Sequence, residues 1–178
     1  PTSDGNIAEP FEKIRKASLS VIREAAEAAD NLGAETLVIH PGFCLEKDMF
    51  EKSYEALLLS IYDLGKMQEE FSVRFAVENL GSLDCCHFRF PDFVSILRDA
   101  DLAFCLDVGH ANLNGVLDEF LDSKPEHVHL HDNHGVWDEH AAVGSGDIDF
   151  SSVLELDATG IIECMEYDAV LKSLEYLK

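Results

Sequence analysis

Apolar positions along this chain follow two rhythms in turn, a long stretch at helical spacing and then a short continuous run. Between Phe11 and Leu32 the apolar residues Ile14, Leu19, Ile22, Ala25 and Ala29 recur every three to five positions, with Pro10 at the start and Gly33 as the stop. Strand Thr36–His40 follows, then a long helix from Leu45 to Phe71 and strand Arg74–Glu78. Phe90 to Asp99 reads as a helix with Pro91 in its first turn, and Leu102–Asp107 as a strand. A short helix over Leu117–Leu121, strand His127–His131, a helix over Ser151–Leu156, strand Gly160–Glu163 and a closing helix Asp168–Leu177 complete the pattern. Amphipathic helices alternating with short apolar strands are the mark of a parallel α/β sheet.

Side-chain phase sharpens the picture. Alternate strand residues face opposite ways, so Asp107 shares a face with Cys105 and Ala103, Glu78 with Ala76, and His40 with Val38. Small residues accompany the polar ones and bulky residues take the other face, as a narrow barrel interior requires. The chain shows five strands, whereas a (β/α)8 barrel has eight and typically about 250 residues. An open sheet with apolar faces would leave two bare edges. The expected fold is therefore α/β, a (β/α)8 TIM barrel of which residues 1–178 form one domain covering the last five βα units. Three leading units are expected upstream, in keeping with a first residue, Pro1, that is not methionine.

Histidines and carboxylates gather at the ends of these runs: His40, Glu78, Asp107 with His110, His129, Asp138 with His140, and Glu163. Parallel barrels carry their catalytic groups at the C-terminal ends of strands. Neutral imidazole and carboxylate together are the ligand set of borderline divalent metals.

With 47% hydrophobic residues the chain can bury a core, and it contains neither an apolar run of about 20 residues nor an opening signal peptide. The five cysteines form no C-x-x-C pair; Cys105 and Cys164 lie in apolar runs and read as buried reduced thiols, so a cytoplasmic protein is expected. Net charge is −22, from 35 acidic against 13 basic residues. A metal site cannot absorb that excess, and phosphate backbones call for basic footprints, so nucleic acid is disfavoured as a partner.

The ordered set IHPG, VEN, LDVGHAN, HLHD, DEHAAVGSGDIDF and IIE resembles the xylose isomerase-like TIM-barrel superfamily, from Asn6 to the C-terminus. That superfamily holds sugar (phosphate) isomerases and epimerases together with endonuclease IV. The resemblance implies Glu78, Asp107, His129 and Glu163 as ligands of one divalent ion (zinc, manganese, magnesium or cobalt), with Glu78 and Glu163 also transferring protons. His110 matches a substrate contact of the epimerases and a zinc ligand of the endonuclease. His40, Asp138 and His140 match further ligands of the endonuclease's three-zinc cluster, so up to three ions are implied on that reading. His131 stands where isomerases often carry a lysine and is a candidate substrate contact.

The remaining features have plainer readings. His127 is expected to pack within its strand, and His87 and His134 to sit in exposed loops. Gly144-Ser145-Gly146 reads as a turn or as the family loop that closes over the site, and Cys85-Cys86 lacks a partner pair for a second metal site. The expected activity is a divalent-metal-dependent isomerase or epimerase of a small sugar or sugar phosphate, working through an enediolate, as a possible homo-oligomer with no membrane partner. The alternative is an endonuclease IV-like multinuclear zinc phosphodiesterase acting on abasic DNA.

Overall fold

Five short strands lie side by side in chain order: β1 (Thr36–Ile39), β2 (Arg74–Glu78), β3 (Ala103–Asp107), β4 (His127–Leu130) and β5 (Thr159–Ile162). Every neighbouring pair is parallel. A computed structural model describes residues 5–81 and 83–178. Helix α1 (Glu12–Leu32) precedes β1; between the strands run α2 (Phe50–Gln68), α3 (Val94–Asp99), α4 (Val108–Leu113) and α5 (Leu117–Leu121), with α6 (Tyr167–Tyr176) after β5. The sheet curls into a half-barrel, a partial TIM barrel of the α/β class.

The two faces of the sheet divide as side-chain phase requires. Phe75, Val77, Phe104 and Leu106 join Leu57, Ile61, Leu64 and Phe120 in the main core beneath the helices. On the inner face Ala76, Ala103 and Cys105 form a separate small cluster with Val38 against it. Short side chains there leave the barrel axis open to the polar groups one pleat higher.

Buried polar groups tie the entry segment to α2. Ser60 Oγ donates to Ile7 O at 2.6 Å, and Arg15 donates to Ser60 Oγ at 3.0 Å and Asp63 at 2.8 Å. Ser53 Oγ donates to Ala8 O at 2.6 Å and accepts from His87 Nε2 at 2.9 Å. His87, expected in an exposed loop, is 2% exposed and packs against Phe50. The correction has a physical cause: a neutral ring that donates to a buried hydroxyl can be enclosed. Cys105 is buried as expected, while Cys164 is only half-buried because β5 is a sheet edge.

Element ends differ from the sequence reading in instructive ways. β1, β4 and β5 stop one residue early, so His40, His131 and Glu163 stand just past the ladder, free to turn inward. A 3-10 turn at Lys47–Met49 precedes α2, another at Pro91–Phe93 precedes α3, and Val153–Glu155 forms only a 3-10 turn. Helix α4 was not expected; Asp107 starts it by accepting the His110 N–H at 2.7 Å. Among the described residues no helix is long and apolar enough to cross a membrane.

Candidate metal centre

Parallel register brings the strand ends together. Glu78 pairs with Cys105 and Asp107 with His129, and Leu130 pairs with Ile162 immediately before Glu163. Glu78, Asp107, His129 and Glu163 consequently present one donor atom each within 4.8 Å of one another. All but Glu163 are buried; its side chain is 43% exposed and forms the open side.

The geometry around His129 is that of convergent acceptors. Its Nδ1 lies 2.9 Å from Glu163 Oε2, 3.5 Å from Glu78 Oε2 and 3.9 Å from Asp107 Oδ2. Yet among the described residues neither ring nitrogen of His129 makes an aligned hydrogen bond. Buried polar atoms are almost always paired. Donor atoms aimed at a shared point rather than at each other are the arrangement a divalent cation satisfies, and the donor types suit it. Without a cation the cluster holds its charge through protonation. Burial alone would lower the His129 pKa, but contacts with Cys105, Glu163 and Glu78 lift it well above the ordinary imidazole value. Burial raises the Glu78 carboxyl, and His129 and His40 outweigh it, leaving that group well below the carboxylate range. For Glu163, His129 prevails over burial and lowers the pKa.

His40 stands at the rim, its Nε2 3.4 Å from Glu78 Oε2 and its side chain 46% exposed. His127, one pleat below His129, is buried and bonded to Thr159 Oγ1 at 2.7 Å, a packed histidine as its position implied. His134 is exposed and paired with Glu139 at 2.9 Å.

A second donor set, His110, His131, Asp138 and His140, adjoins the first. His110 Nδ1 donates to Asn79 O at 3.0 Å and His140 Nδ1 to Glu163 O at 2.8 Å, which turns both Nε2 atoms inward. Both meet the same oxygen, Asp138 Oδ2, at 3.2 and 3.1 Å. A ligating histidine commonly fixes its other nitrogen on a backbone carbonyl in this way. Each Nε2 then needs either a proton or a cation. With a proton, Asp107 and Asp138 prevail over burial to raise His110 to about 10, and Asp138 raises His140 to about 9. Asp138 moves oppositely: burial would raise it, and the two histidines pull it well below its usual value. His131 Nδ1 and Asp138 Oδ1, 3.8 Å apart, are buried without hydrogen-bond partners among the described residues.

Three contributors carried no assigned role in the sequence. Asn79 crosslinks β2 to β3, donating to Asp107 O at 3.0 Å and accepting from Asp107 N at 2.8 Å. Asp132 accepts from the N–H groups of Asn133, Gly144, Gly146 and Ile148, fixing the glycine-containing segment beside the site. Gly109 leaves room for the His131 ring, which an added Cβ would strike. Asp132 adjoins HLH and Asn79 adjoins Glu78, so adjacency to a candidate ligand was their only signal.

A sequence profile described as xylose isomerase-like TIM barrel matches residues 1–177. The chain belongs to that family. Within it, an uncharacterised protein of Methanocaldococcus jannaschii is 40% identical over 154 residues, covering 85% of this chain and 61% of its own length. A probable endonuclease 4 of Mycobacterium leprae is 24% identical over 159 residues, covering 81% of this chain and 61% of its own. The chain thus spans under two thirds of the length of these curated relatives. Among solved structures, a D-tagatose 3-epimerase-like protein superposes with a TM-score of 0.91 at 29% identity, over 99% of this chain and 73% of that one. A Thermus thermophilus protein soaked with zinc chloride superposes at 0.80 with 26% identity, over 99% and 73%.

Proposed function

We propose that this xylose isomerase-like domain binds a divalent ion through Glu78, Asp107, His129 and Glu163 and epimerises or isomerises a small sugar or sugar derivative. The observation that carries the reading is the convergence of Glu78, Asp107, His129 and Glu163 donor atoms within 4.8 Å of one another, with the His129 ring buried among three carboxylates. The epimerase-like neighbour at a TM-score of 0.91 supports the substrate class, and the zinc-soaked neighbour supports the ion.

A divalent ion held there would polarise a substrate carbonyl and favour loss of the adjacent proton. Glu163, on the open side, is placed to take that proton from carbon, and its lowered pKa keeps it ionised beforehand. Glu78, which is buried, is the partner assigned the proton exchange at the other face. His110, 13% exposed at its side chain, stands at the entrance for a substrate hydroxyl. His131 is fully buried beneath Asp107, so the role of substrate contact falls to the partly exposed His110.

The measurement is solvent deuterium incorporation at the carbon next to the carbonyl, over a panel of free and phosphorylated ketoses including D-tagatose. Incorporation that requires both glutamates supports the assignment; incorporation that persists in Glu163→Gln contradicts it.

Multinuclear phosphodiester hydrolysis is the second reading, and the adjoining four-donor set favours it. Against it stands the net charge of −22. Cleavage of an abasic-site oligonucleotide at physiological salt, with two or three ions per chain, would reverse the ranking.

We further propose that additional βα units close the barrel. Among the described residues β1 and β5 each have an unpaired edge, and an apolar cleft lined by Ile7, Val21, Ile22, Ala25 and Leu37 opens beside β1.

A further inference from the structure

The segments that follow β1 and β2 meet at one isolated antiparallel bridge. Phe43 stands opposite Cys86, Cys44 N–H donates to Cys85 O at 2.7 Å, and His87 N–H donates to Gly42 O at 3.1 Å. That register sets Cys44 directly opposite Cys85. Opposed residues in an antiparallel pair have Cα atoms about 4.5–5.5 Å apart, inside the roughly 4.4–6.8 Å span that a disulfide bridges. Both thiols are partly exposed and line one surface cavity with Leu45, Phe50 and Asp84. Cys86 lines a different cavity with His87 and Phe88, although its thiol also touches that of Cys85, a contact that rotation of the Cys85 side chain toward Cys44 breaks. The Cys44 thiol makes one weak bond, to Glu46 O at 3.3 Å, which a rotation releases.

We propose that Cys44 and Cys85 are a reversible thiol–disulfide site that clips the two loops together at the mouth of the metal centre. The oxidant is a small-molecule disulfide such as oxidised glutathione. One cysteine thiolate attacks a glutathione sulfur and expels the first glutathione thiolate. The other cysteine thiolate attacks the protein sulfur of that mixed disulfide and expels the second. The protein loses two hydrogens, and the reagent is reduced to two thiols. A bond between the neighbours Cys85 and Cys86 would instead close a strained ring across a planar peptide. The clip joins the segment that follows His40 to the one that follows Glu78, side chains that lie 3.4 Å apart. It therefore fixes the rim of the site without using any of its donors, and it stands independently of the proposed catalysis.

The test is oxidation of the folded full-length protein with oxidised glutathione, alkylation of the remaining thiols, and peptide mapping by mass spectrometry. The expected result is a Cys44–Cys85 linked peptide, a reactive-thiol count lower by two, and a melting temperature higher by roughly 5–10 °C that dithiothreitol reverses. Cys86→Ser should retain the link, and Cys44→Ser should lose it. A Cys85–Cys86 link, stable glutathione adducts without a crosslink, or an unchanged thiol count in the wild type would each overturn the proposal, whatever the variants do.

Discussion

His131 Nε2 lies 3.0 Å from Asp107 Oδ1 and 3.1 Å from Oδ2, so one carboxylate serves both donor sets. Asp107 faces His129 in the first set, orients His131 in the second, and caps α4 through the His110 N–H. A ligating imidazole fixed by a carboxylate on its other nitrogen gains basicity and a defined orientation. The two sets are thereby coupled through a single side chain.

Asp107→Asn and Asp107→Ala should separate the roles of that side chain. Asparagine caps as well as aspartate and relieves repulsion among the carboxylates, so the chelated protein should melt close to chelated wild type while binding metal weakly. Alanine removes the cap and leaves His131 without its acceptor, costing about 2 kcal/mol of stability. Thermal melts with and without chelator check both. An asparagine variant melting well below chelated wild type would make Asp107 chiefly structural.

Gly109→Ala should be disruptive despite adding one methyl group. The new Cβ would meet the His131 ring, fully buried and unable to retreat. A loss of about 2–3 kcal/mol is expected from overpacking, together with weaker binding of any second ion. Denaturant unfolding and metal titration read these separately.

The metal-free protein should lose stability at alkaline pH. His110 and His140 have pKa values of about 10 and 9 in the folded protein, raised by Asp107 and Asp138. A pKa raised on folding stabilises fully below the unfolded value near 6.5 and ceases to do so as pH rises through the folded value. The chelated protein should therefore lose melting temperature between about pH 7 and 10. A flat profile there would show that the Nε2 atoms carry no protons.

His87 predicts the opposite limb. Burial depresses its pKa to about 4, so its contribution is present above about 6.5 and lost as pH falls toward 4. Replacing His87 with glutamine, which can still donate to Ser53 Oγ, should flatten that part of the stability curve.

Loading metal at pH 7 should release protons, because ions replace them on imidazole. Occupation of the first set displaces the proton of His129, about one per ion, and occupation of the second displaces those of His110 and His140, about two. Calorimetry in buffers of different ionisation enthalpy counts them. No buffer dependence would remove these histidines from the ligand set.

Much of this was legible in the chain because strand phase is strict. Ala76, Ala103 and Cys105 had to face the same way as Glu78 and Asp107, and they do. Helix α4 was hidden because VGHANL has no apolar periodicity; its start depends on the Asp107 cap. Burial of His87 was illegible because it depends on Ser53, 34 residues earlier in the chain. The role of His131 escaped for a related reason. Alternation put it on the inner face, but only the cross-strand distance to Asp107 shows which nitrogen is occupied.

The most direct measurement is anomalous diffraction at the zinc edge from crystals of the full-length protein grown with zinc. The account predicts a peak at about 2.0–2.3 Å from donor atoms of Glu78, Asp107, His129 and Glu163. Absence of a peak there, with zinc bound elsewhere on the protein or not at all, would contradict it.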